Sequence, residues 1–255
     1  MAGSRYLNVR YPGACASCGT ALTPGMRAWW DVVAKELECG ACRPELAAPG
    51  AGAQRAAERR RTNRDRRTRE AHPILGGVLM AVRERPQHEQ AWFTGAEGER
   101  RLGLMLEGLS NRGVTVLHDR TVMGSKANID HIAVAPTGIY VIDAKLYAGK
   151  RVEVRSPMFG RSELRVGGRD RTKLVEGMAK QIATVREALE FAVPVTPVVC
   201  FLEARWELFG SSFQIGGVRV CSPKALRKLI TKSGPLRPDA AGEAYRSILR
   251  STRPA

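Results

Sequence analysis

Apolar and polar positions fall into regular periods along most of this chain, but only beyond about residue 93. Between Ala96 and Leu109, Leu102, Met105, Leu106 and Leu109 recur at three- and four-residue spacing, which predicts a helix with one inward stripe. Strand-like runs follow at 114–122, 128–135, 139–147 and 151–155, with Pro136-Thr137-Gly138 as a turn between the middle pair. Glu163 to Val166 suggests a short further strand, and Thr172 to Phe191 a second amphipathic helix. Val195 to Leu202 is apolar enough for a buried strand, although Pro197 suits the start of a strand better than its middle. A short strand at 217–221 and helices at 223–232 and 239–249 complete the pattern. Helix, strands, helix, strand, strand, helices is the order of an α/β fold, a mixed central sheet flanked by helices, over residues 93–255.

The first 92 residues read differently. Residues 1–46 hold Cys15-x2-Cys18 and Cys39-x2-Cys42, twenty residues apart, the spacing of a four-thiolate zinc site in a small zinc-ribbon-like module. Each knuckle supplies two thiolates to one tetrahedral Zn²⁺, and Gly19 lets the backbone turn beside it. Trp29, Trp30, Val32 and Val33 between the knuckles suit a small hairpin. A closed four-thiolate site leaves no open coordination position, so its expected role is structural. Cys200 and Cys221 lie in apolar contexts and read as buried small hydrophobes. Residues 47–92 read as a basic linker and docking segment. Eight arginines fall between Arg55 and Arg69, partly balanced by Glu58, Asp65 and Glu70, so the run is a linker or an exposed basic helix. The apolar stretch Ile74 to Val82 is a candidate docking segment.

Charge narrows the class of partner. The chain carries 41 Lys and Arg against 25 Asp and Glu, a formal net charge of +16, which points to a polyanion and first to nucleic acid. Arg59, Arg60 and Arg61 in the basic run are candidate phosphate contacts, as are Arg169 and Arg171 before the second helix. No apolar run is long enough to span a membrane, and the stretch from Met1 to Arg10 lacks the apolar core of a signal peptide. The expected location is therefore cytoplasmic, where paired cysteines point to metal and not to disulfides.

The candidate chemistry lies in two strands. Charged residues inside apolar strands are costly unless paired or bound to metal, and Asn-Ile-Asp130-His-Ile and Val-Ile-Asp143-Ala-Lys145 carry three of them. Asp143 and Lys145, two apart, share a strand face. Asp130 joins that face only if an even number of residues closes the hairpin. His131 then points to the opposite face and reads as a core histidine. On the first helix Glu99 lies at the sheet-side edge of the apolar stripe while Glu97 points away. Gln181 sits beside Met178, Ile182 and Val185 on the apolar side of the second helix.

Taken together, Gly95-Ala-Glu-Gly-Glu99, Ile-Asp130-His, Tyr-Val-Ile-Asp143-Ala-Lys145 and Gly149 resemble the nuclease-related domain, NERD, over roughly residues 93–210. That family is similar to restriction-endonuclease-like nucleases of the PD-(D/E)xK type. The resemblance implies that Glu99 matches the helix glutamate, Asp130 the first strand acid, and Asp143 with Lys145 the (D/E)xK pair. Gln181 resembles the glutamine of the following helix in some relatives. Ile129 stands where the pattern has proline. The implied activity is phosphodiester hydrolysis, with DNA the expected substrate and Mg²⁺ or Mn²⁺ held by Asp130 and Asp143, with the Ala144 carbonyl as a further candidate ligand. The alternative is a non-catalytic nucleic-acid-binding or assembly module, in which Asp143 and Lys145 are only an internal ion pair.

Overall fold

A computed structural model of the chain describes residues 4–31, 34–40, 42–43, 48–71, 87–121, 128–156, 161–206 and 210–255. The candidate docking segment, 74–82, lies outside the described residues, as do Val32 and Val33.

The architecture is mixed α/β. A six-stranded sheet runs in the order β13-β14-β12-β8-β7-β6, formed by β6 (Thr115–Thr121), β7 (Asn128–Ala135), β8 (Gly138–Leu146), β12 (Val195–Leu202), β13 (Ser212–Ile215) and β14 (Val218–Cys221). Strands β6, β7 and β8 form an antiparallel meander, β8, β12 and β14 run parallel, and β13 returns antiparallel. Side chains alternate across the sheet and fill two cores. On one face Ala133, Tyr140, Ile142, Ala144, Val198 and Cys200 meet Leu102 and Leu106 of α2 (Gln87–Glu107) and Leu226 and Ile230 of α5 (Pro223–Ile230). On the other, Ile132, Val134, Ile139, Val141, Val199 and Phe201 meet Val175 of α3 (Thr172–Glu176), Met178 and Val185 of α4 (Met178–Glu187), and Ile248 of α6 (Pro238–Ser251).

Three local readings change. The second amphipathic helix is two short helices that break at Gly177, the least helix-favouring residue of the run, and it ends before Phe191. Pro197 sits inside a central strand after all. Pairing of β12 with β14 begins only at Val198, so on that side no ladder bond is asked of the missing N–H. Strand β13 was not visible as a strand because Ser212 to Ile215 is short and largely exposed.

The N-terminal module is a three-stranded antiparallel sheet, β1 (Ser4–Asn8), β4 (Arg27–Asp31) and β5 (Glu36–Glu38), with a two-stranded hairpin of β2 (Gly13–Ala14) and β3 (Ala21–Leu22). Strands β4 and β5 form the hairpin expected around the tryptophans. Among the described residues its own buried core is Val9, Cys15, Leu22 and Ala28, with Leu37, Cys39 and Cys42 packed against it, whereas Trp29 packs into the core of the larger sheet. The Arg-rich run is a helix, α1 (Ala51–Ala71), whose start is seated against α2 and whose later side chains are exposed wherever described.

Candidate functional site

The β7–β8 hairpin closes on Pro136 and Thr137 alone, with Ala135 opposite Gly138, so the closure is even. Pairing runs back to His131 opposite Ile142, which sets Asp130 against Asp143 at the next step. The ladder stops there. Asp130 Oδ2 accepts the Ala144 N–H at 2.9 Å, and the side chain thereby takes the place of a strand carbonyl. Lys145 Nζ donates to Asp143 Oδ1 at 2.7 Å.

Helix α2 brings Glu99 to this end of the sheet. Gly98 makes the approach possible, since a Cβ there would stand 3.0 Å from Leu146 Cβ, tighter than ordinary van der Waals contact. Glu99 is half-buried, and its Oε2 is buried without a hydrogen-bond partner. Glu97 instead points outward and pairs with Arg100 at 2.8 Å. Gln181 lies on α4, which packs on β8 and β12, and its Oε1 is likewise buried and unpartnered.

Electrostatics bind these groups into one unit. Burial, reinforced by the charges of Asp130, Asp119 and Asp143, pushes Glu99 up to about 9. Burial and the Asp143 charge push Asp130 up to about 8. For Lys145 burial alone would favour the neutral amine, but Asp143, Asp130 and Glu99 outweigh it and hold the ammonium above its ordinary range. The site therefore carries more acid than its single lysine neutralises, and a divalent cation is the group that would relieve this. Among the described residues, only the four cysteines form a group of three or more ligand residues with all ligand atoms within 4.8 Å of one another. Glu99, Asp130 and Asp143 are not among them.

Asp119 was not anticipated. Pairing of β6 with β7 runs from His118 opposite His131 to Arg120 opposite Ile129, and skips Asp119 and Asp130 between them. Asp119, Asp130 and Asp143 thus form one transverse row across three strands. Asp119 is fully buried in the left-handed region at φ 49°, uncommon for a residue with a Cβ. Its signal in the sequence was His118-Asp119-Arg120, three polar residues in succession inside a strand. All three are buried. Arg120 is held by Thr252 Oγ1 at 2.9 Å and by the carbonyls of Leu249 and Thr252.

His131 does face away from Asp130, into the α2 side of the sheet, as a core histidine. Its Nδ1 lies 2.8 Å from Nδ1 of His118, whose Nε2 lies 3.2 Å from Glu107 Oε1, and Glu107 faces Arg27 of the N-terminal module at 4.0 Å. Burial lowers His118 to about 3 and raises Glu107 to about 8. A neutral carboxyl can donate to a neutral ring, which lets this buried chain persist without net charge. Its pH consequence follows from linkage. The folded state holds the Glu107 proton more tightly than the unfolded state, so that stabilisation is complete below the ordinary glutamate range and is lost as pH rises through about 8. Denaturant unfolding across pH should show the stability difference between wild type and Glu107→Gln shrinking over this window, by up to about 1.4 kcal/mol per pH unit.

The four cysteine sulfurs form a compact group, compatible with a structural zinc. Cys15 Sγ accepts the Cys39 N–H at 3.2 Å, and Cys18 Sγ lies 3.7 Å from Cys39 Sγ. The Cys39 amide holds Cys15 down at about 6, whereas the other thiols crowd Cys42 and raise it. Gly19, at φ 70°, turns the backbone after the first knuckle. Cys200 and Cys221 are opposite each other in β12 and β14, fully buried, as expected of small hydrophobes.

The candidate phosphate contacts are dispersed. Arg59 is exposed on α1, and Arg60 and Arg61 belong to the same helix, although their side chains lie outside the described ones. Arg169 is exposed in the short β11 (Arg169–Asp170), which pairs with β10 (Glu163–Val166) and through it with β9 (Val152–Arg155). Arg171 is half-buried, 5.8 Å from the centre of the Tyr147 ring. No helix among the described residues is long and apolar enough to cross a membrane.

Part of the chain is similar to known proteins. Residues 94–202 match the nuclease-related domain, NERD, which includes Glu99, Asp130, Asp143, Lys145 and Gln181. A segment of 79 residues is 38% identical to the uncharacterized protein pXO1-01 of Bacillus anthracis. That similarity covers 30% of this chain and 37% of the relative, so the chain matches well under half of that protein's length. No solved structure matches.

Proposed function

We propose that the nuclease-related domain is a metal-dependent nuclease that hydrolyses phosphodiester bonds in nucleic acid, with DNA as its substrate. The observation that carries this reading is the interrupted hairpin. It sets Asp130 opposite Asp143, with Lys145 on Asp143 at 2.7 Å and the unpartnered oxygen of Glu99 facing the same cluster of charge. Asp130, Asp143 and the Ala144 carbonyl form a hard oxygen donor set, suited to Mg²⁺ or Mn²⁺ and not to zinc, which the thiolates take. A divalent cation held there neutralises phosphate charge and makes water a better nucleophile.

The protein's own groups then have distinct tasks. Lys145, kept protonated by Asp143, Asp130 and Glu99, places a fixed positive charge where a phosphate oxygen gains negative charge. The Ala144 N–H fixes the rotamer of Asp130, so one carboxylate oxygen stays free to bind. Glu99, whose buried Oε2 has no hydrogen-bond partner, would hold a metal-bound water. Gln181 orients water or phosphate through its unpartnered amide oxygen and its NH₂ group. Arg59, Arg60, Arg61, Arg169 and Arg171 contact the phosphate backbone away from the scissile bond.

The non-catalytic reading, a nucleic-acid-binding or assembly module, predicts binding without cutting. Incubation of plasmid and linear DNA with Mg²⁺ or Mn²⁺ separates the two. Metal-dependent cleavage that disappears in Asp143→Ala and Lys145→Ala supports the nuclease, whereas binding with no cutting under any metal supports the module.

A further inference from the structure

The anchor of the basic helix α1 lies against the acidic row, and the proposed catalytic reading does not use it. Asp119 Oδ2 accepts the Gly52 N–H at 3.0 Å, in the first turn of α1. Its other oxygen, Oδ1, accepts Asn128 Nδ2 at 3.0 Å. Both oxygens are therefore engaged, unlike Oε2 of Glu99, so Asp119 holds a helix. The negative charge also suits a helix N-terminus, where orphan N–H groups and the dipole converge. Around it Pro49, Gly50 and Gly52 are buried, and a Cβ on Gly50 would stand 2.8 Å from the Ala96 carbonyl of α2. Arg55 adds a hydrogen bond to the Ala255 carbonyl. In turn the Ala255 N–H donates to the Asp119 carbonyl at 2.7 Å.

Past this joint the helix changes character. Its eight arginines and three acids, Glu58, Asp65 and Glu70, leave a net charge of 8 − 3 = +5. Arg55, Arg59, Arg66 and Arg67 are exposed and span about 18 Å of helix at 1.5 Å per residue. The apolar residues between Ala51 and Ala71 are all alanines. A helix that lies in a membrane interface needs a large apolar face to bury, and this one has none. A phosphate backbone needs only accessible cations.

We propose that α1 is an arm that grips the phosphate backbone of a nucleic-acid duplex, and that Asp119 is the positioning residue that fixes the arm beside the Asp130–Asp143 centre. The proposal rests on reading that centre as a phosphodiester site, but binding tests it without cleavage. An arm fixed at its root gains affinity because its ordering is settled before the duplex arrives. Gly52→Ala perturbs the joint while leaving every acid in place, since its Cβ would stand 2.7 Å from Asp119 Oδ1. Arg59→Gln with Arg66→Gln removes contacts and leaves the joint intact.

The experiment measures binding of the zinc-loaded full chain to a short DNA duplex across a salt series, with no Mg²⁺ or Mn²⁺ present. Hydrogen exchange of the Ala51–Gln54 amides and zinc content are followed in parallel. The arginine pair should weaken binding about tenfold at moderate salt and lower the salt slope by about 2. Gly52→Ala and Asp119→Asn should speed exchange at the joint and weaken binding several-fold while the slope stays near wild type, because the contacts remain. Unchanged affinity and slope in the arginine pair would overturn the arm. Wild-type affinity in Gly52→Ala with an opened joint would overturn the role of Asp119. Tighter binding to phosphatidylserine vesicles than to DNA, lost in the same arginine variants, would overturn the nucleic-acid partner. An absence of cleavage in a separate assay would bear only on the nuclease reading.

Discussion

Asp143→Ala is expected to lower metal-dependent cleavage by about a thousandfold or more, and Lys145→Ala by about a hundred- to a thousandfold. Both figures follow from removing charge aimed at the phosphate inside a buried site. Asp143 and Lys145 are only 2.7 Å apart and act on the same phosphate, so the double variant should be little worse than the single ones. Lys145→Arg should not restore activity, because a planar guanidinium cannot replace a compact ammonium beside one carboxylate oxygen. The fold should survive Asp143→Ala, since Asp130 and Glu99 remain to face the Lys145 ammonium. Single-turnover cleavage at saturating Mn²⁺ measures the rates, and far-UV circular dichroism reports the fold. Near-wild-type rates in Asp143→Ala would remove the proposed site.

Loss of zinc should unfold the N-terminal module and leave the six-stranded sheet largely intact. The module's own core of Val9, Cys15, Leu22 and Ala28 is too small to stand alone, and the four thiols crowd one another when no cation is present. The larger sheet has two cores of its own, one on each face. Trp29 reports the event directly, since it is buried against the larger core and lies 4.7 Å from the ring of Tyr6. Chelation, or Cys18→Ser, should red-shift tryptophan emission and retain most of the far-UV signal. The Arg27–Glu107 contact would be lost with the module, leaving the Glu107–His118–His131 chain without its outer cation. An unshifted emission spectrum after complete zinc removal would show that the thiolates hold no structural ion.

What the sequence made legible was periodic. The 128–146 hairpin showed its period and its turn, so the shared face of Asp130, Asp143 and Lys145 reduced to one question of parity, which a two-residue turn answers. Glu99 was distinguishable from Glu97 because a helical stripe fixes phase. The four cysteines carried their own spacing. The features that stayed hidden depend on contacts between residues distant in the chain. Asp119 reads locally as one of three successive polar residues in a strand, and its partner Gly52 is 67 residues away. Nor could local spacing show Glu107, His118 and His131 as one chain, because they come from a helix and two strands. Gly177 breaks a helix whose apolar stripe continues through it, which a periodic pattern cannot report.

The central claim is that Asp130 and Asp143 hold a hard divalent cation, and Mn²⁺ binding to the zinc-loaded chain tests it most directly. Electron paramagnetic resonance should show the free Mn²⁺ signal decline as the wild-type protein binds the ion, and the free signal should persist in an Asp130→Asn, Asp143→Asn variant of equal zinc content. Equal loss of free signal in wild type and variant, or no binding in either, would contradict the account.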